Sequence, residues 1–200
     1  MSTPDVIDHL VGIAPGSPLD AIRAQRPEAR ENAQRSYLAL FEPEAPGEAS
    51  ALERYAVASY VARLHRAPAV AAFYAARLAD HADIADAVAA EAAHATTGPY
   101  GRFPPGPLSA EDMPGAAYRV GADHRPVFGA RLTAAIEHAD LLVFHPRDAS
   151  PQALQDLLDA GWSTTGIVTL SQLVAFLAFQ IRVIAGLKVL AATPATDAAR

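Results

Sequence analysis

The chain has 200 residues, a formal net charge of −6 and no cysteine. Its 16 Lys and Arg residues are scattered singly, which excludes the basic stripe that nucleic acid requires, and the absent thiols exclude disulfides, thiolate metal sites and cysteine nucleophiles. Hydrophobic residues make up 51% of it, largely alanine, the best helix former, so an all-α fold is expected.

The opening MSTPDVIDHL has neither a basic nor an apolar run, so no signal peptide is expected and the chain is read as cytoplasmic. Residues 1–18 read as a turn-rich entry with Pro4, Pro15, Gly16 and Pro18. Ser17 and Pro18 then start a short helix, and Pro27 divides it from a longer one over about 28–40. EPEAPGEAS is a linker. Residues 1–47 are thus expected to form a helical extension to a main domain over 48–190, with a tail at 191–200.

Ser50 caps the next helix, and Glu53 stands at the capping-box spacing. Val57, Val61 and Leu64 make its apolar stripe. The helix ends near Ala67, before Pro68, which opens a helix to about Leu78; another runs from about 83 to 96. The segment from Gly98 to Pro126 holds six prolines and five glycines. Its Tyr100, Phe103, Leu108, Met113 and Tyr118 give it something to bury. An ordered strap over 97–123 is expected, crossing the helical core and reaching its own pocket or a neighbour's.

A helix follows over about 124–145. Ser150, Pro151 and Gly161 bound a short one. Ser163 caps a last long helix that is apolar nearly all round, as a central helix should be. Its run from Ile167 to Leu187 contains Ser171, Gln172, Gln180 and Arg182, so it reads as a buried helix of a soluble protein rather than a membrane span.

The seven histidines make no metal-binding pair along the sequence, and no nucleotide or cofactor fingerprint is present, so neither a metal nor a cofactor is expected. Glu137, His138 and Asp140 in IEHAD read as a solvated or interface face, because neighbouring helical positions point apart. His65 and Arg66 sit at a helix C-terminus, where a cation suits the dipole; the alternative is that they bind an anion or polarise a carbonyl. Tyr55, Tyr60 and Tyr74 are core aromatics whose hydroxyls need partners. Gln172, polar in an apolar helix, needs one too.

From residue 153 the sequence runs ALQDLLDAGWSTTGIVTLSQLVAFLAFQIRVIAGLKVL. It resembles the carboxymuconolactone decarboxylase (CMD) and AhpD-like alkylhydroperoxidase family. The shared features are a Gly-Trp-Ser corner, a Gln-Leu-Val-Ala-Phe core and a late Arg-Val-x-x-Gly-Leu. The resemblance covers about Ser50 to Leu190, and LERYAVASYVARLHRAPAVAAFY is similar to the family's helix–Cys–x–x–Cys–helix element. On that alignment the two redox cysteines fall at Ala67 and Val70, the relay histidine at Tyr74, and the relay acid near Tyr55, with Glu53 two residues away on another face. The resemblance implies the AhpD-like helical bundle and a homo-oligomer. It also implies a peroxidase or decarboxylase activity, whose thiol mechanism alanine and valine cannot perform. Two functions stay open. One is a non-redox binding or partner subunit, a pseudoenzyme with a small apolar ligand in a pocket of Tyr55, His65, Val70 and Tyr74, with Tyr60 and Gln172 beside it, or with a cysteine-bearing paralogue as partner. The other is a decarboxylase- or lactone-type enzyme with His65, Tyr74, Tyr55 or Glu53 as acid or base.

Overall fold

The computed structural model describes residues 5–95 and 97–193. The fold is all-α, and among the described residues the only β pairing is a single bridge between Gly101 and Met113. Nine α-helices follow in order: α1 (Val6–Val11), α2 (Pro18–Ala24), α3 (Pro27–Phe41), α4 (Ala51–Leu64), α5 (Pro68–Ala75), α6 (Ala82–His94), α7 (Arg125–Phe144), α8 (Pro151–Asp159) and α9 (Thr164–Ala192). The helix α1 replaces the expected turn-rich entry. Asp5 caps it by accepting from Asp8 N–H, and the positive φ of Gly12 ends it.

The central helix is α4, not α9. Ala56, Val57, Ala58, Tyr60, Val61 and Ala62 are fully buried, because three alanines let α5, α6, α7 and α9 approach from every side. The face of α9 carrying Leu170, Leu173, Val174, Leu177, Ile181 and Ile184 is buried, but Val168, Gln172, Ala175, Phe179, Arg182, Gly186 and Val189 are exposed along the opposite face. By length and composition alone α9 could cross a membrane, with 39% of its most apolar window buried.

Of the expected extension, residues 5–47 share the main core rather than standing apart. Val6, Ile7, Tyr37, Leu40 and Phe41 belong to the same apolar cluster as α4 and α9. Arg23 bridges Asp5 and Asp8, and Arg30 bridges Asp8 and Asp20, tying the first three helices together. Buried Arg54 donates to the carbonyls of Ala49 (3.0 Å), Leu40 (2.6 Å) and Pro46 (2.7 Å), which pins the 42–50 linker. The expected tail lies outside the described residues from 194 on, and α9 itself continues to Ala192.

The Gly-Trp-Ser corner is organised by Arg131. Its guanidinium stands 4.2 Å from the Trp162 ring and bonds Glu53, Gly161 O and Glu48 O, while Trp162 Nε1 donates to Arg131 O at 2.9 Å. The strap is ordered, as its aromatics suggest. Tyr100 is buried, Phe103 and Tyr118 are half-buried, and Leu108 and Met113 are exposed. Gly115 crosses the Tyr100 ring so closely that a β-carbon there would overlap it.

Candidate functional site

The α4–α5 corner, where the resemblance puts two thiols, opens to a pocket of about 660 Å³ lined by Arg63, Arg66, Ala67, Pro68 and the alanines of α5 and α6. None of these is a nucleophile or a general acid or base, while the tyrosine and glutamate candidates around the corner are engaged elsewhere. α4 ends with Arg66 in the left-handed region (φ 55), its N–H on Arg63 O and the Ala67 N–H on Ala62 O. This is a Schellman cap with arginine in the position glycine usually takes. Ala67 precedes α5, and Val70, in the first turn of α5, is buried. Tyr74 is fully buried and donates to Gln180 Oε1 at 2.7 Å; burial raises its pKa. Tyr55 stacks on Phe41 and donates to Phe41 O at 3.3 Å. Glu53 is the capping-box acid of α4 and pairs with Arg131 at 2.9 Å. Burial pushes its pKa up, but Arg131 and the Ser50 cap outweigh that and hold it below the usual range.

His65 is half-buried, with Nε2 unpartnered, and burial lowers its pKa, helped by the charge of Arg182. Gln172 is exposed and does not join Tyr60 and Tyr74; the buried glutamine of α9 is Gln180, two turns on. Tyr60 sits on yet another side of α4 and donates to Asp140. The residues expected to share one pocket therefore divide among a cap, an aromatic cluster, an exposed helix face and a separate polar network.

That network lies beneath the strap. Asp140 has no exposed surface and accepts from Tyr60 Oη at 3.1 Å, with its other oxygen unpartnered. Burial pushes its pKa up to about 6. His145 Nε2 stands 3.8 Å from Asp140, and His145 Nδ1 stands 3.3 Å from Asp148. Tyr100 stacks on the same imidazole, with ring centroids 4.6 Å apart. On the other side, the Tyr60 and Tyr118 rings lie 6.0 Å apart. Tyr118 donates to Glu91, which is also 2.5 Å from His124 and accepts from Gly121 N–H. Burial raises the pKa of Glu91, but these partners outweigh it and lower the value.

The IEHAD residues are therefore not a solvated face. α7 has neighbours on several sides, so all three positions are engaged. Asp140 faces α4, and Glu137 binds Arg119, Arg125 and Val120 N–H. His138 is buried, bonds Ser171 through Nε2 at 3.1 Å and leaves Nδ1 unpartnered; burial lowers its pKa to about 4, so it is neutral near pH 7. Burial also lowers the pKa of His145, against the pull of Asp148.

A cavity of about 270 Å³ opens between the strap, α7 and α8. Tyr118 and Arg119 roof it, His138, Leu141 and His145 form one wall, and Asp148, Ala153 and Asp156 form another. The IEHAD motif was the sequence signal for this site. Glu91, Tyr118, His145 and Asp148 carried none, being single residues up to 57 positions apart that only the strap brings together. Among the described residues, no three His or acidic side chains are placed to hold a metal ion.

No family model matches the chain, and neither a curated protein nor a solved structure matches it.

Proposed function

We propose that the chain is a cysteine-free member of the CMD/AhpD-like group that works without redox chemistry, as a cytoplasmic small-molecule-binding subunit of a homo-oligomer. The observation carrying the binding reading is the cavity of about 270 Å³ beneath the strap, where Tyr118, His138, His145 and Asp148 converge on the apolar side chains of Ala134, Leu141 and Leu157. The α4–α5 corner gathers no such set, and the hydroxyls of Tyr55 and Tyr74 already have partners. The exposed, spaced stripe of Val168, Ala175, Phe179 and Val189 on α9 supports burial against a second copy or a cysteine-bearing paralogue.

The test couples two measurements on the purified protein. Native mass spectrometry is expected to show a homo-oligomer. An assay with tert-butyl hydroperoxide and a dithiol reductant is expected to show no protein-dependent turnover, and turnover would overturn the non-redox reading.

A second reading, a decarboxylase- or lactone-type enzyme, draws support from Asp140, a buried carboxyl with a pKa near 6 beside Tyr60 and His145. That pKa suits general acid–base work near neutral pH. On this reading the acid–base groups lie under the strap rather than at His65, Tyr55, Tyr74 or Glu53.

A further inference from the structure

We propose that the exposed face of α9 is a self-complementary interface on which two copies of this chain pair antiparallel, about a two-fold axis at the level of Leu177. The proposal rests on the homo-oligomer reading above and names its surface, its partner and its register.

The exposed face of α3 is charged, with Glu28, Glu31 and Arg35 in solvent. By contrast, α9 has only Arg182 and Lys188 as charged residues along its 29 positions, and no acid. From Val168 to Val189 its exposed face runs through positions 168, 172, 175, 179, 182, 186 and 189, alternating by four and three. That is the seam spacing of paired helices. Val168 is 51% exposed, Phe179 47% and Val189 67%, so the apolar members of the seam lie open. At the helical rise the seam is about 32 Å long.

Gly186 is an independent observation. Glycine weakens a helix interior relative to alanine. The fold itself does not ask for one here. Among the described residues, nothing stands within 4 Å of the position that a β-carbon at Gly186 would take. Close approach of a helix from outside the chain accounts for the missing side chain.

Self-pairing follows from what faces what. In an antiparallel pair centred at Leu177, Gly186 of one copy receives Val168 of the other, and Ala175 receives Phe179. Gln172 meets Arg182, its carboxamide oxygen accepting from the guanidinium. Phe179 and Val168 thus each meet a small residue, and the two polar residues meet each other. A parallel pair would set Arg182 against Arg182 and Phe179 against Phe179. Sliding the antiparallel pair by one heptad would set Phe179 against Arg182 and Gln172 against Val189. The ends agree in charge. Glu48 stands beside Ser163 and Gly166 at the N-terminal end of the seam, while Arg182 and Lys188 lie in its C-terminal half. Antiparallel pairing lays each end on its opposite, as an isologous contact should. A groove of about 570 Å³ along Thr165, Thr169, Gln172 and Phe179, walled by the linker from Pro43 to Glu48, leaves room for the second copy's C-terminal half.

The test is native mass spectrometry and analytical ultracentrifugation of the full chain and its variants. Gly186→Glu puts a charge in the seam, where the fold leaves open space and glutamate is the better helix former, so far-ultraviolet circular dichroism should be unchanged. An isologous contact joins subunits in twos, so Gly186→Glu and Phe179→Glu are each expected to halve the subunit number at low micromolar concentration. The chain has no cysteine, which makes cross-linking clean. Val168→Cys and Gly186→Cys in one chain stand about 27 Å apart along the helix, so they cannot join within it. Together they should give a disulfide-linked dimer on mild copper-catalysed oxidation, and either alone should not. An oligomer whose subunit number survives both glutamate variants would overturn the α9 surface and leave the homo-oligomer reading standing. A wild-type monomer at the same concentration would remove both. Cross-linking by either single cysteine, or none by the pair, would overturn the antiparallel register. A wild-type monomer that sediments with phosphatidylcholine–phosphatidylglycerol vesicles would overturn self-pairing and give the face to a membrane surface.

Discussion

Asp140→Asn should stabilise the protein at neutral pH and cost it about 1 kcal/mol in acid. The carboxyl is fully enclosed, and burial lifts its pKa from 3.8 to about 6. A raised carboxyl pKa means that the folded state holds the proton more tightly than the unfolded chain. The resulting stability is present below about pH 4 and is lost as pH rises through about 6. The interval from 3.8 to about 6 corresponds to about 3 kcal/mol of destabilisation above pH 6. Asparagine keeps the volume and the acceptor for Tyr60 Oη, but it adds an amide donor beside His145. Charging about 1 kcal/mol for that imperfect partner leaves a net gain of about 2 kcal/mol at pH 7.5. Urea denaturation of both proteins from pH 4 to 8 reads this as a midpoint difference that opens to roughly 1 M. Taking the difference between the two proteins cancels the titrating groups that lie away from Asp140. A difference that stays flat across the range, or that favours the aspartate above pH 6, would refute the reasoning. The second outcome would mean that Asp140 is ionised and paired with a charged His145.

Two further substitutions test the scaffold. Arg66→Gly should raise stability by about 1 kcal/mol in chemical denaturation, because glycine adopts the left-handed cap without the strain that a β-carbon brings. Arg54→Leu should lower stability by about 3 kcal/mol in the same assay, since it strands the carbonyls of Leu40, Pro46 and Ala49 at a buried position.

Much of the helical order was legible because the punctuation is local. Ser17, Ser50, Ser150 and Ser163 all cap the helices that their position and spacing suggest, and Pro18, Pro27, Pro68 and Pro151 all stand at first positions. The short α1 was obscured by the prolines and glycine around it, although its Asp5 cap is of the same kind. What periodicity could not rank was depth. The helix α9 is more apolar than α4, yet α4 is central because its alanines admit neighbours all round, a property of shape rather than hydropathy. The same limit governs the candidate site. Tyr60 and Tyr74 both read as core tyrosines, but the partner that decides each role, Asp140 or Gln180, lies 80 or 106 residues away. In IEHAD, the rule that adjacent helical residues diverge was sound. It misled only because α7 meets α4, α8 and the strap on different sides, so divergent side chains are all enclosed.

The central claim is that the working site lies beneath the strap and not at the α4–α5 corner. Histidine-ring NMR during titration with a panel of small aromatic ligands, an amine, an alcohol and a carboxylate, tests it most directly, because His138 and His145 line the cavity while His65 marks the corner. The account predicts that the ring resonances of His138 and His145 move together along one saturable curve and that those of His65 stay fixed. Movement of His65 with His138 and His145 unchanged would contradict it.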